Sequence, residues 1–179
     1  MTTYVALLRG INVGGKHLIK MADLREWLES LGLSNVQTYI QSGNVLFDSE
    51  EAADVLQDRL EREMENRYGF PVPVMLRTAA EYRRVLEECP FPLEGLSEEE
   101  SVHVSFLAQE PTEEELGKLP KQPFGTDEYR VVGRELYLLL RQRVSDSKLP
   151  ILLQKACTGT MRNWKTVTKI REMVEKREG

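Results

Sequence analysis

Apolar positions in the first part of the chain switch between continuous runs and a helical spacing. Thr3 to Arg9 (TYVALLR) carries Val5, Ala6, Leu7 and Leu8 in succession. A segment apolar on both sides of an extended chain predicts a central strand. The period then changes, and Met21, Leu24, Leu28 and Leu31 share one helical face, with Asp23 and Glu26 near the positive end and Gly32 as the stop. VQTYIQ and VLFD predict two strands joined at Ser42-Gly43-Asn44, where Gly and Asn tolerate positive φ. Ser49, ahead of Glu50 and Glu51, is placed to cap a second helix with the stripe Leu56, Leu60 and Met64, stopping at Gly69. PVPVMLR then predicts a closing strand. The order is β-α-β-β-α-β, the split βαβ or ferredoxin-like arrangement, with helices on one face of the sheet.

The second half repeats this grammar without obvious identity of letters. Thr78 and Glu81 predict a capping box for a helix that stops at Pro90-Phe91-Pro92, and residues 78–100 read as a connector. VHVSFLA from Val102 predicts a strand, and Thr112 with Glu115 opens a short helix. EYRVV and ELYLLLR predict two strands parted at Gly133, and a further helix runs from about Ser147 to Cys157. There the pattern departs from the first half: in place of a fourth strand it predicts a final helix from Met161 to about Lys176, capped by Thr160. The expected fold is α+β: two ferredoxin-like subdomains with mainly antiparallel sheets and a C-terminal helix. The division falls at residues 1–90, with the connector helix, and 91–179, ending in a basic helix.

With 179 residues, 41% of them hydrophobic, the chain has enough apolar surface for a proper core. Its longest apolar runs, such as Leu136 to Leu140, fall far short of the roughly 20 residues of a membrane span. The N-terminus has neither a basic leader nor a small-residue cleavage site, so a cytoplasmic protein is expected. Cys89 and Cys157, with His17 and His103, give no ligand spacing, and neither a metal nor a cofactor is expected. The net charge of −5 argues against indiscriminate binding of duplex DNA. The charge is unevenly distributed: Arg9, Lys16 and Lys20 stand in an acid-free stretch at 9–20, and Arg162, Lys165, Lys169 and Arg171 in another at 160–171. An acidic shell around two basic patches focuses small anions onto them.

Five ordered segments, VALLRGINVGGK, KMADLREWLESLG, TYIQSGNVLF, the CPFP turn and GTMRNWKTVTKI, resemble the bacterial domain-of-unknown-function family 1697 over essentially the whole chain. The resemblance implies two fused ferredoxin-like subdomains and a site location, and no activity. The matching positions are Arg9, Gly10, Asn12, Gly14, Gly15, Met21, Tyr39, Gln41, Ser42, Gly43, Asn44, Arg162, Asn163, Trp164 and Thr166.

The stretch RGINVGGKHLIK approaches a phosphate loop: Gly10, four residues, Gly15 and Lys16, after a strand and before a helix. His17 stands where Ser or Thr would ligate magnesium, so nucleotide hydrolysis is not expected. Two readings remain, a wide connection whose glycines only make turns, and an anion site built from Gly10, Asn12, Gly14, Gly15, backbone N–H groups, Arg9 and Lys16. Ser42 reads as a turn former, because no Gly-x-Ser-x-Gly elbow surrounds it, and Gln41 and Asn44 as ligand-orienting or turn-satisfying amides. In the last helix Trp164, Val167, Ile170 and Val174 form a core stripe. Arg162, Asn163 and Lys165 are expected in its first turn, where free N–H groups favour an anion. His17 is the acid-base candidate. His103, between Val102 and Val104, reads as the polar side of a strand.

A small phosphate- or carboxylate-bearing ligand, held between loop 9–20 and the start of the last helix, is the leading expectation. Single-stranded RNA on a sheet face bearing Gln37, Tyr39 and Gln41 is the alternative, and a self-associating or protein-interaction module is a third.

Overall fold

The computed structural model describes residues 1–121 and 124–178. The elements are β1 (Thr2–Leu8), α1 (Met21–Ser30), β2 (Ser34–Tyr39), β3 (Asn44–Ser49), α2 (Ala53–Tyr68), β4 (Val74–Thr78), α3 (Ala79–Glu87), β5 (Ser101–Leu107), α4 (Glu113–Lys118), β6 (Glu128–Val132), β7 (Glu135–Leu140), α5 (Leu149–Ala156), β8 (Gly159–Asn163) and α6 (Trp164–Glu178). They make two four-stranded sheets, ordered β2-β3-β1-β4 and β6-β7-β5-β8, in which all neighbours are antiparallel. Both sheets follow the split βαβ order, so the α+β architecture of two ferredoxin-like subdomains is present.

The second sheet corrects the sequence reading. Gly159 to Asn163 is a strand, β8, and the last helix begins only at Trp164. Thr160 looks like a helix cap and Met161 to Val167 fits a helical stripe, so local pattern favours the helix. The edge of β5 decides otherwise, because its backbone groups take β8 in register from Leu107↔Gly159 to His103↔Asn163. Gly159 permits the approach: a Cβ there would lie 2.7 Å from the Phe106 carbonyl oxygen.

The chain forms two compact units, one of Met1–Arg84 with Ile170–Gly179 and one of Val85–Lys169. In the first, Tyr4, Ala6 and Leu8 of β1 join Val45, Phe47, Val74 and Leu76 beneath Leu24, Leu28, Leu56, Leu60 and Met64 of the two helices. This is the helix-on-one-face packing that the two stripes predict. On the opposite face Val5, Leu7, Leu46 and Met75 are also no more than 1% exposed, which is why β1 reads as apolar on both sides. In the second unit Leu107, Leu136, Leu138 and Leu140 pack with Leu149, Leu153 and Cys157.

The capping boxes at Thr78/Glu81 and Thr112/Glu115 both form. Ser49 does not cap α2. Its N-cap is Ala52, and Ser49 Oγ accepts the Glu51 N–H at 3.1 Å. The end of α6 is tied to β2 and β3 of the first unit, where Arg177 donates to Gln37 Oε1 and Asp48 Oδ1, each at 2.8 Å.

Candidate anion site at one end of the first sheet

β1 ends at Leu8, and the chain turns through Arg9, whose N–H donates to the Pro73 carbonyl at 3.0 Å, and Gly10, at φ +74°. Residues 12–17 form a miniature hairpin. Asn12 N–H donates to the His17 carbonyl and Lys16 N–H to the Val13 carbonyl, both at 3.0 Å. Gly14 and Gly15 sit at its tip with φ of 59° and 73°, the signature of a two-residue type I′ turn. The resemblance to a phosphate loop therefore ends at the letters. In such a loop successive amides point into one concavity, whereas here the Asn12 and Lys16 amides are spent within the hairpin.

Asn12 organises the site. Its Oδ1 accepts the Ile19 N–H at 2.8 Å, and its Nδ2 donates to the Ile19 carbonyl at 3.0 Å and the Gln41 carbonyl at 2.7 Å. One side chain thus closes the loop on itself and fastens it to the β2–β3 turn. That turn comprises residues 40–43, with Ile40 at φ +50° and Gly43 at φ +92°, and Gln41 lies in the turn rather than in a strand. The face of alternating Gln37, Tyr39 and Gln41 is consequently not formed, and Gln37 already receives Arg177. Asn44, the first residue of β3, is fully buried, and its Nδ2 donates to the Tyr39 carbonyl at 2.9 Å and to Ser42 Oγ at 3.0 Å. Asn44 and Ser42 thus organise the turn. Gly43 lets the turn close on the loop, because a Cβ there would meet Leu8 Cβ and Ile11 Cδ1 at 2.8 Å.

A third connection, residues 69–73, reaches the same end. Gly69 stops α2 in the left-handed conformation, and Phe70 packs half-buried against the core. The His17 ring lies flat on the Phe70 ring, with centroids 4.1 Å apart and planes 7° from parallel, and its Nδ1 is 3.3 Å from the Gly10 carbonyl oxygen. Residue periodicity gave no hint of this contact, since the two rings belong to different connections. The only local sign is the Gly-Phe-Pro that follows the helix.

The three connections, residues 9–20, 40–43 and 69–73, carry Arg9, Lys16 and Lys20 and no carboxylate. Lys20 is the N-cap of α1, and no side chain caps that helix. The first acid beyond, Asp23, is engaged: Tyr68 Oη donates to it at 3.0 Å and Arg67 at 2.9 Å. These two hydrogen bonds, with the charges of Arg67 and Lys20, hold its carboxyl below the usual range.

Arg162, Asn163 and Lys165 belong to the second unit. Arg162 is not in a helical first turn. It is 7% exposed on β8, and its guanidinium donates to Thr160 Oγ1 at 2.7 Å and to the Met161 carbonyl at 3.0 Å. Asn163 Oδ1 accepts the Thr166 N–H at 2.9 Å, which places the cap of α6 three residues later than Thr160. Lys165 is exposed in the first turn. Trp164 is half-buried, while Val167, Ile170 and Val174 are buried. Among the described residues no group of His, Cys, Asp and Glu is placed to hold a metal ion, and no helix is long and apolar enough to cross a membrane.

The fold defines a protein of two split-βαβ units, the first with three of its connections at one end of its sheet. The family model described as "Protein of unknown function (DUF1697)" matches residues 1–137, and the chain belongs to that family. Among solved structures it is similar to the conserved bacterial protein SP0830 from Streptococcus pneumoniae, with 27% identity and a TM-score of 0.78 over 98% of this chain and 99% of that one. A search of curated proteins finds no match.

Proposed function

We propose that the first unit binds a small phosphate- or carboxylate-bearing molecule at the loop end of its sheet, with Arg9, Lys16 and Lys20 as counter-charges. The observation that carries this reading is the charge pattern. In a chain with 29 Asp and Glu residues, the three connections at this sheet end hold no acid, and one of them, residues 9–20, carries three cations. Cations so grouped repel one another and the positive end of α1, and an anion relieves both. Ordered by Asn12 and Asn44, the loops present this charge with little conformational entropy left to lose. Arg162, Asn163 and Lys165 are not required.

The test is a thermal melt of the full chain at low salt against phosphate, nucleotides, phosphorylated metabolites, dicarboxylates and short RNA. A ligand at a hundredfold over its dissociation constant adds about 2.7 kcal/mol. For a chain of this size that is a rise of several degrees. The rise should fall away in Arg9→Ala and Lys16→Ala and with added salt. No rise across the panel would refute the reading and favour an interaction module.

A further inference from the structure

We infer that the ligand at this sheet end is a nucleoside phosphate whose base stacks on the His17–Phe70 ring pair. The inference rests on the anion-binding reading above and adds the chemistry of the ligand's other half. Phe70 is fixed from below by the core and from behind by the Gly69 stop. His17 lies over it at 4.1 Å with its planes nearly parallel, in an exposed part of the loop. Its φ of +53° is one that glycine, asparagine and aspartate also adopt, so turn geometry alone does not call for a ring. An exposed ring backed by a second, core-packed ring is the kind of platform on which a planar base stacks.

The surroundings match the remaining parts of such a ligand. Lys16 precedes His17 directly and is exposed, and Arg9 and Lys20 lie in the same acid-free stretch. Val13 at 65%, Leu18 at 69% and Ile40 at 49% exposure give the same loops an apolar rim. Leu18 and Ile40 each neighbour a residue whose carbonyl binds Asn12 Nδ2, so both stand beside one clamp. Cations for a phosphate, an exposed ring for a base and apolar side chains on the same loops are what a nucleoside phosphate requires. A bare phosphate or small carboxylate would use only the cations.

The experiment is an equilibrium titration of the full chain with adenosine 5′-monophosphate, ribose 5-phosphate, inorganic phosphate and a short oligoribonucleotide. Adenosine monophosphate should bind about tenfold more tightly than ribose 5-phosphate, in line with the stacking of one base. His17→Asn keeps a residue suited to the left-handed backbone and should abolish that preference while leaving ribose 5-phosphate binding unchanged. His17→Phe, which keeps a ring, should retain it. An oligonucleotide that competes with adenosine monophosphate and depends on His17 would also support the base site, placing its natural source in a strand. Equal affinity for the nucleotide and ribose 5-phosphate, or a preference that survives His17→Asn, would overturn the inference while the anion site stands. Binding of none of the four would overturn both.

Discussion

Asn12 makes three hydrogen bonds from one side chain, and its replacement separates two physical effects. Asn12→Gly keeps a residue at ease with φ +55° and removes only the bonds to Ile19 and Gln41. At about 0.5–1.5 kcal/mol for each typical bond, and less for the exposed one to Gln41, the loss is about 2 kcal/mol. Asn12→Ala removes the same bonds and adds the cost of holding a Cβ in the left-handed region, about 1–2 kcal/mol more. Urea denaturation followed by tryptophan fluorescence measures the totals. Hydrogen exchange at the Ile19 amide reports the loop itself, since that N–H donates to Asn12 Oδ1. The expected order of stability is wild type, then Asn12→Gly, then Asn12→Ala, with Ile19 protection lost in both variants. If Asn12→Gly stays within about 0.5 kcal/mol of wild type and Ile19 remains protected, Asn12 is not the clamp and the reasoning fails.

Gly43→Ala places a methyl group 2.8 Å from Leu8 and Ile11 on a backbone at φ +92°, and a loss of about 3 kcal/mol or more in urea denaturation is expected. His103 is 6% exposed, its Nδ1 has no hydrogen-bond partner, and burial pushes its imidazole below the ordinary value. The unfolded chain therefore binds the extra proton first, and stability should fall as pH drops below about 6.5, by up to about 1.4 kcal/mol per unit, until the folded imidazole itself protonates. His103→Gln should flatten that slope in denaturation measured between pH 7 and pH 5. Arg177→Ala should cost about 2–3 kcal/mol, because Arg177 and Asp48 form a mostly buried pair at 2.8 Å. Burial alone would raise the Asp48 carboxyl, but hydrogen bonds from Asn35, Arg177 and Thr3 hold it below the usual range, and NMR titration should find it higher in the variant. That contribution is present above about pH 3.9 and is lost on acidification through the lower, folded value, so the gap between wild type and Arg177→Ala should narrow in acid.

The elements legible in the chain are those specified within a few residues. The stripe Leu24 and Leu28, the stops at Gly32 and Gly69, and the capping boxes at Thr78 and Thr112 depend on spacings of a turn or two, so their letters are sufficient. β1 reads as central because both its faces are apolar, and the repeated order of strands and helices follows from such local signals. Of the expected site, loop 9–20 stood out as glycines and cations without acids, whereas the start of the last helix, its expected other half, belongs to the second unit.

The places where the letters misled have their deciding partners far away in sequence. Residues 159–163 fit a helix as well as a strand, and pairing with β5, more than fifty residues earlier, settles the choice through the backbone groups it satisfies. Arg162 follows that choice: once its backbone is extended, its guanidinium turns to Thr160 and Met161 and leaves the helix start to Asn163. The glycine loop has the spacing of a phosphate loop, yet Asn12 fastens it across 29 residues to Gln41 and its own amides close a hairpin. The His17–Phe70 stack joins two connections that share no periodicity. Periodicity and capping are local properties and are written in the chain. Strand pairing, side-chain clamps and ring stacking need partners that only the folded chain brings within reach.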